Sequence, residues 1–134
     1  MACKLLFVTI CLLLTFSIKS SSQLVPIKDL SKGDLTQCEQ EIGITLEEVQ
    51  KNMKDLAKNQ DEKTLCFIKC ISTKQGFIGS DGTFDLVKIR AAFGALKGNV
   101  DIETLISCIE KLKKISSCQD ITKAMECFKK EGLE

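Results

Sequence analysis

Downstream of residue 23 the apolar positions of this chain recur at steps of three and four, the spacing that gathers side chains on one face of a helix. Leu46, Val49, Met53 and Leu56 form one such stripe. Before it, Thr45-Leu46-Glu47-Glu48 has the form of a capping box, in which a hydroxyl and a carboxylate satisfy amide protons left unpaired at a helix start. Asp61 stands where it can cap the next helix, which carries Phe67, Ile68 and Ile71 on one face until Gly76 stops it. Gly79-Ser80-Asp81-Gly82 is a turn cluster. After it, Leu86, Ile89, Phe93 and Leu96 mark a short helix ending around Gly98. Asp101 can cap a longer helix carrying Ile102, Leu105, Ile106, Ile109 and Leu112. Ser117-Cys118-Gln119-Asp120 is a further capping signal, followed by Ile121, Met125 and Phe128 and stopped by Gly132. With a helix over Leu30 to Glu41 the pattern predicts about six helices. Little β-branched alternation is present, and the fold class is all-α.

The start of the chain follows a different rule. Lys4 precedes an apolar run from Leu5 to Ile18, broken by Thr9, Thr15 and Ser17, and Ser20, Ser21 and Ser22 follow. A positive tip, a short apolar stretch and a small-residue exit predict a secretory signal peptide over residues 1–22, with 23–134 as one helical domain. The stretch is shorter than the roughly 20 residues of a membrane-spanning helix, so no stable membrane insertion is expected. The mature protein is expected to be secreted and extracellular.

Charge and composition narrow the chemistry. The 134 residues are 44% apolar and 28% charged, which suits one compact domain. Nineteen basic against eighteen acidic residues leave a charge of +1, and loss of Lys4 and Lys19 with the signal makes it −1. Nothing there favours nucleic acid, which wants a strongly basic face. The chain has no histidine, which excludes Ser-His-Asp and Cys-His catalysis and imidazole-based zinc sites. The neighbouring carboxylates Glu47 and Glu48, and Asp61 and Glu62, fall at helix starts, where the macrodipole favours negative charge. The expectation is a non-enzyme without cofactor or metal.

Eight cysteines become six once Cys3 and Cys11 leave with the signal: Cys38, Cys66, Cys70, Cys108, Cys118 and Cys127, spaced C-x27-C-x3-C-x37-C-x9-C-x8-C. An even number in an oxidising compartment implies three disulfides. Cys66 and Cys70 share a helix face about 5–6 Å apart, too far to bridge each other, so each must reach a different neighbouring helix. Several of the fifteen possible pairings remain open on these grounds.

This spacing, in a helical chain of this length behind a signal peptide, resembles the insect odorant-binding proteins, six-helix carriers that include the pheromone-binding proteins. The resemblance implies the bridges Cys38–Cys70, Cys66–Cys118 and Cys108–Cys127. It implies an internal apolar pocket for a small hydrophobic ligand, an odorant or pheromone. Matched to the family's positions, the segment after the Gly79–Gly82 turn contributes Phe84, Leu86 and Ile89; residues before the fourth cysteine contribute Ile102 and Leu105; and Phe128 follows the sixth. Ile68 and Thr73 flank Cys70, with Thr73 as a polar contact, and Phe93 adds an aromatic one. A hydroxyl bonding back to its own helix is the competing reading of Thr73. The members' moth relatives release ligand with long C-terminal tails and histidines. This chain ends seven residues after Cys127 and lacks imidazole, so weak pH dependence is expected between pH 5 and 8.

Two other readings stay open at this stage. One keeps the fold and moves the carrier to haemolymph, gland or venom, for lipids or hormones. The other is a stapled helical signalling protein with a filled core, acting outward through its surface. Lys111, Lys113, Lys114, Lys129 and Lys130 are interleaved with Glu110 and Glu131 and are expected to coat solvated faces, a chemosensory receptor contact being their functional alternative. A monomer or weak homodimer is expected.

Overall fold

The structure is a computed structural model that describes residues 31–55, 61–95 and 100–131. The expected signal peptide and its cleavage point, with Leu30, Leu56, Leu96, Gly98 and Gly132, lie outside these residues. Among the described residues the chain forms six α-helices: α1 Lys32–Ile42, α2 Leu46–Lys54, α3 Glu62–Lys74, α4 Leu86–Gly94, α5 Ile102–Glu110 and α6 Asp120–Lys130. None of them is long and apolar enough to cross a membrane.

Side-chain caps set most of the starts. Ser31 accepts from the Asp34 N–H at α1, and Gly43 closes that helix in the left-handed conformation at φ 72°. At α2 the capping box is complete, with Thr45 Oγ1 taking the Glu48 N–H and Glu48 Oε2 taking the Thr45 N–H. Asp61, Asp85 and Asp101 cap α3, α4 and α5 through their carboxylates.

Two helix ends differ from the sequence pattern. Helix α5 stops at Glu110 and is as short as α4, because the chain tightens beyond it. The Leu112 N–H reaches back to the Ile109 carbonyl, and Lys113 turns into the left-handed region at φ 60°. Helix α6 has no side-chain cap at Gln119. Asp120 points its carboxylate backward, accepting from the Ser117 N–H, which is half of the capping box, and from the Ser116 N–H in the incoming loop.

The turn between α3 and α4 is knit to that loop. Ile78 pairs with Phe84 and Thr83 with Lys114 in isolated antiparallel bridges, the one strand-like feature among the described residues. The Ile115 N–H donates to the Gly82 carbonyl at 2.8 Å. Gly82 is buried at φ 85°, and a Cβ there would run into the Ile115 carbonyl oxygen, so only glycine allows this approach.

Helix α3 lies at the centre, packing on α1, α2 and α6, while α5 packs on α4 and α6. The disulfides are Cys38–Cys70, Cys66–Cys118 and Cys108–Cys127, with Cα separations of 5.9, 4.7 and 5.7 Å. They are the pairs that the resemblance implies; Cys66 and Cys70 diverge, Cys70 to helix α1 as expected but Cys66 to the loop before α6 rather than to a helix. Phe67 and Ile71 pack with Cys38, Ile44 and Val49 between α1, α2 and α3. Ile68 does not share that face. It packs with Leu65, Ile78, Ile115 and Ile121 on the opposite side of α3, since a central helix has apolar neighbours all round.

Candidate functional site

The second half of the chain builds one apolar group from α4, α5, α6 and the turn before α4. Ile89 and Phe93 from α4, Leu105, Ile106 and Ile109 from α5, and Cys127 from α6 are buried at its centre. Phe77, Phe84, Leu86, Ile102, Leu112 and Phe128 surround them, each half-buried. Phe93 is the hub of the aromatic set: its ring centroid lies 6.2 Å from that of Phe77 and 5.0 Å from that of Phe128, both pairs tilted.

Seven of the nine residues expected to line a pocket meet in this group: Phe84, Leu86, Ile89, Phe93, Ile102, Leu105 and Phe128. Ile68 belongs to the adjoining apolar group, which shares Phe84 and Leu112 with this one. Thr73 stands apart. It is exposed near the end of α3, and its hydroxyl donates to the Lys69 carbonyl at 2.9 Å, the helix-bonding reading of that residue. Phe77, Ile106, Ile109 and Leu112 join the group without having been marked as site residues. Ile106, Ile109 and Leu112 were legible as a helix stripe. Phe77 follows a helix-stopping glycine and carries no periodic signal; only its being one of the five phenylalanines after residue 22 points to it.

The group reaches the surface at the start of α4. An open depression of about 510 Å³ is lined by Gly76, Gly79, Thr83, Phe84, Asp85, Leu86 and Val87, so Phe84 and Leu86 belong both to it and to the apolar group. Val87 is 81% exposed on its edge.

Charges around the group are engaged at its edge. Hydrogen bonds from the Thr83 hydroxyl and N–H hold the Asp81 carboxyl below its ordinary value, and the Thr104 hydroxyl and N–H do the same for Asp101. Arg90 on α4 makes a two-pronged ion pair with Glu103 on α5 over the outside of the seam. Among the described residues no cluster of three or more histidine, cysteine or acidic side chains is placed to hold a metal, and all six described cysteines are in disulfides. The arrangement can enclose apolar surface and offers little directed polar recognition.

The model of the PBP/GOBP family matches residues 21–131, a span that contains all six helices and all three disulfides. The chain belongs to this family, the insect odorant-binding proteins. General odorant-binding protein 56a of Drosophila melanogaster is 31% identical to it over 102 residues, covering 75% of this chain and 72% of that relative. No solved structure matches. An odorant-binding-protein fold accounts for what the helices do here: three staples tie α1 to α3, α3 to the loop before α6, and α5 to α6, while α4 lies across the apolar group. The family is one of binding and carrier proteins rather than enzymes.

Proposed function

We propose that this protein is a secreted, non-enzymatic carrier that takes up small hydrophobic molecules, odorants or pheromones, among the apolar residues between α4, α5 and α6 and delivers them through extracellular fluid. The observation that carries the reading is the aromatic hub. Phe93, buried on α4, holds Phe77 and Phe128 half-buried around it, in a chain whose relative is named for binding odorants. Phe84, Leu86, Ile89, Phe93, Ile102, Leu105 and Phe128 would contact the ligand, with Ile68 at the margin. Parting these side chains around an apolar guest replaces one apolar contact by another, so entry costs little solvation free energy. Enclosing about 300 Å² of ligand is worth roughly 7 kcal/mol. By itself that gain corresponds to a dissociation constant on the order of 10 µM, and losses on association weaken binding from there.

Titration of the purified mature protein with the apolar fluorescent probe N-phenyl-naphthylamine tests the reading. Saturable binding at one site, displaced by long-chain alcohols or esters and weakened at least about tenfold by Phe93→Ala in protein that remains folded, supports it. Absence of a saturable site overturns it.

A further inference from the structure

Resting on that reading, we infer that α4 is the wall that moves when ligand exchanges, and that the Arg90–Glu103 pair is the latch that sets how fast it does so.

The other walls are tied. Cys108–Cys127 joins α5 to α6, and Cys66–Cys118 joins α3 to the loop that enters α6. The turn before α4 is also fixed. The Gly82 carbonyl accepts from Ile115, Thr83 pairs with Lys114, and both partners lie just ahead of the Cys118 staple. Helix α4 carries no cysteine. Its start is anchored, by the Asp85 N–H on the Phe77 carbonyl at 2.9 Å and the Lys88 ammonium on the Gln75 carbonyl at 3.2 Å. Farther along, among the described residues, Ile89 and Phe93 meet α5 through apolar contacts, and Arg90 lies between them in sequence. Such a helix can swing about its first turn.

Arg90 is the one arginine in the chain. Its Nη1 and Nη2 donate to Oε1 and Oε2 of Glu103, and Glu103 is flanked on α5 by Ile102 and Leu105 of the apolar group. A lysine ammonium cannot form this fork. A second ion pair, Lys123–Asp120, lies within α6 and spans nothing. Half-exposed, the latch is worth only a few-fold in an equilibrium constant. That is the right size for a contact that must open at each exchange: it slows α4 without sealing the site.

Stopped-flow dissociation of N-phenyl-naphthylamine tests the latch. Arg90→Gln and Glu103→Gln are each expected to raise the dissociation rate about threefold, with the thermal midpoint within a few degrees of the parent. The exchanged pair Arg90→Glu with Glu103→Arg should return the rate toward the parent value. Raising sodium chloride from about 20 mM to about 500 mM should speed release from the parent and leave Arg90→Gln unchanged. Equal rates in parent and both single variants, or the same salt response with and without Arg90, would overturn the latch while leaving the carrier reading intact. Failure of the parent to bind the probe at all would remove the carrier reading first.

Discussion

The ring of Phe93 on α4 stands 5.0 Å, centroid to centroid, from the ring of Phe128 on α6, with 49° between their planes. One ring is buried and the other half-buried, and they come from elements that are not adjacent in the chain. Tilted contact at this distance lets the positive edge of one ring approach the negative face of the other. It also joins α4 to α6 across the apolar group.

That contact can be measured separately from burial. Phe93→Ala is expected to lower unfolding free energy by about 3 kcal/mol or more, and Phe128→Ala by less, since Phe128 is already partly solvated. A double-mutant cycle by urea denaturation should leave a coupling of about 0.5–1.5 kcal/mol. A coupling of zero would mean that the rings merely share a neighbourhood.

Gly82 and Gly43 both hold positive φ, at 85° and 72°, but their surroundings differ. A Cβ at Gly43 meets nothing within 4 Å, whereas at Gly82 it meets the Ile115 carbonyl. Gly43→Ala should therefore cost about 1 kcal/mol, for the left-handed backbone alone. Gly82→Ala should cost at least twice that, because the bridge to Ile115 must also part. Equal midpoints for the two variants in urea would refute the distinction.

Helix α2 carries no cysteine either, and a polar clasp holds it to α3. Thr64 is fully buried; its hydroxyl donates to Asp61 Oδ2 at 2.7 Å and accepts from Asn52 Nδ2 at 3.0 Å. Thr64→Val keeps the shape and removes both hydroxyl hydrogen bonds, leaving Asp61 the Thr64 N–H and Asn52 its long contact to Asp61, at a cost of about 1–3 kcal/mol. Amide hydrogen exchange should quicken in α2 ahead of α6, and Thr64→Ser should restore most of the loss.

Acid should destabilise the protein through its hydrogen-bonded carboxylates. The Ser117 and Ser116 amides, with the Lys123 ammonium, hold the Asp120 carboxyl down to about 2. Hydrogen bonds from Thr45, Thr64, Thr83 and Thr104 lower Glu48, Asp61, Asp81 and Asp101. Each group binds its proton more weakly folded than unfolded. The stability it contributes is thus present above the unfolded value of about 4 and is lost as pH falls toward the folded one. With no histidine in the chain, the urea midpoint should be flat from pH 7 to about 5.5 and fall between about pH 4.5 and 2. A break near pH 6 would contradict this.

Much of this was readable along the chain because it depends on near neighbours. The Thr45–Glu48 box and the Asp61 and Asp101 caps are contacts over two or three residues, and the structure has all of them. Asp120 stands in the start signal Ser117–Asp120, and its backward bond from the Ser117 N–H is the one a capping box makes. The other half is missing, because the Ser117 hydroxyl donates to the same carboxylate instead of capping a helix amide. The Ser116 amide in the loop uses that carboxylate too. Leu112 fits the α5 stripe by periodicity, yet it lies past the helix end, because the bridge between Ile115 and Gly82 bends the chain away. Thr73 illustrates the same limit from the other side: at the end of α3 its hydroxyl can reach the Lys69 carbonyl, and that nearby partner took it.

Taken alone, the sequence determined the helices, most of their caps, and that Cys66 and Cys70 must part, since each follows from spacing over a turn or two. Only the tertiary structure decided which apolar faces meet. The stripes on α3, α4, α5 and α6 are built from the same few side chains, and hydrophobic attraction has no direction by which to choose among them. Phe77, Phe93 and Phe128 came together because the staples, the glycine-dependent turn and the short α5 left them one common space.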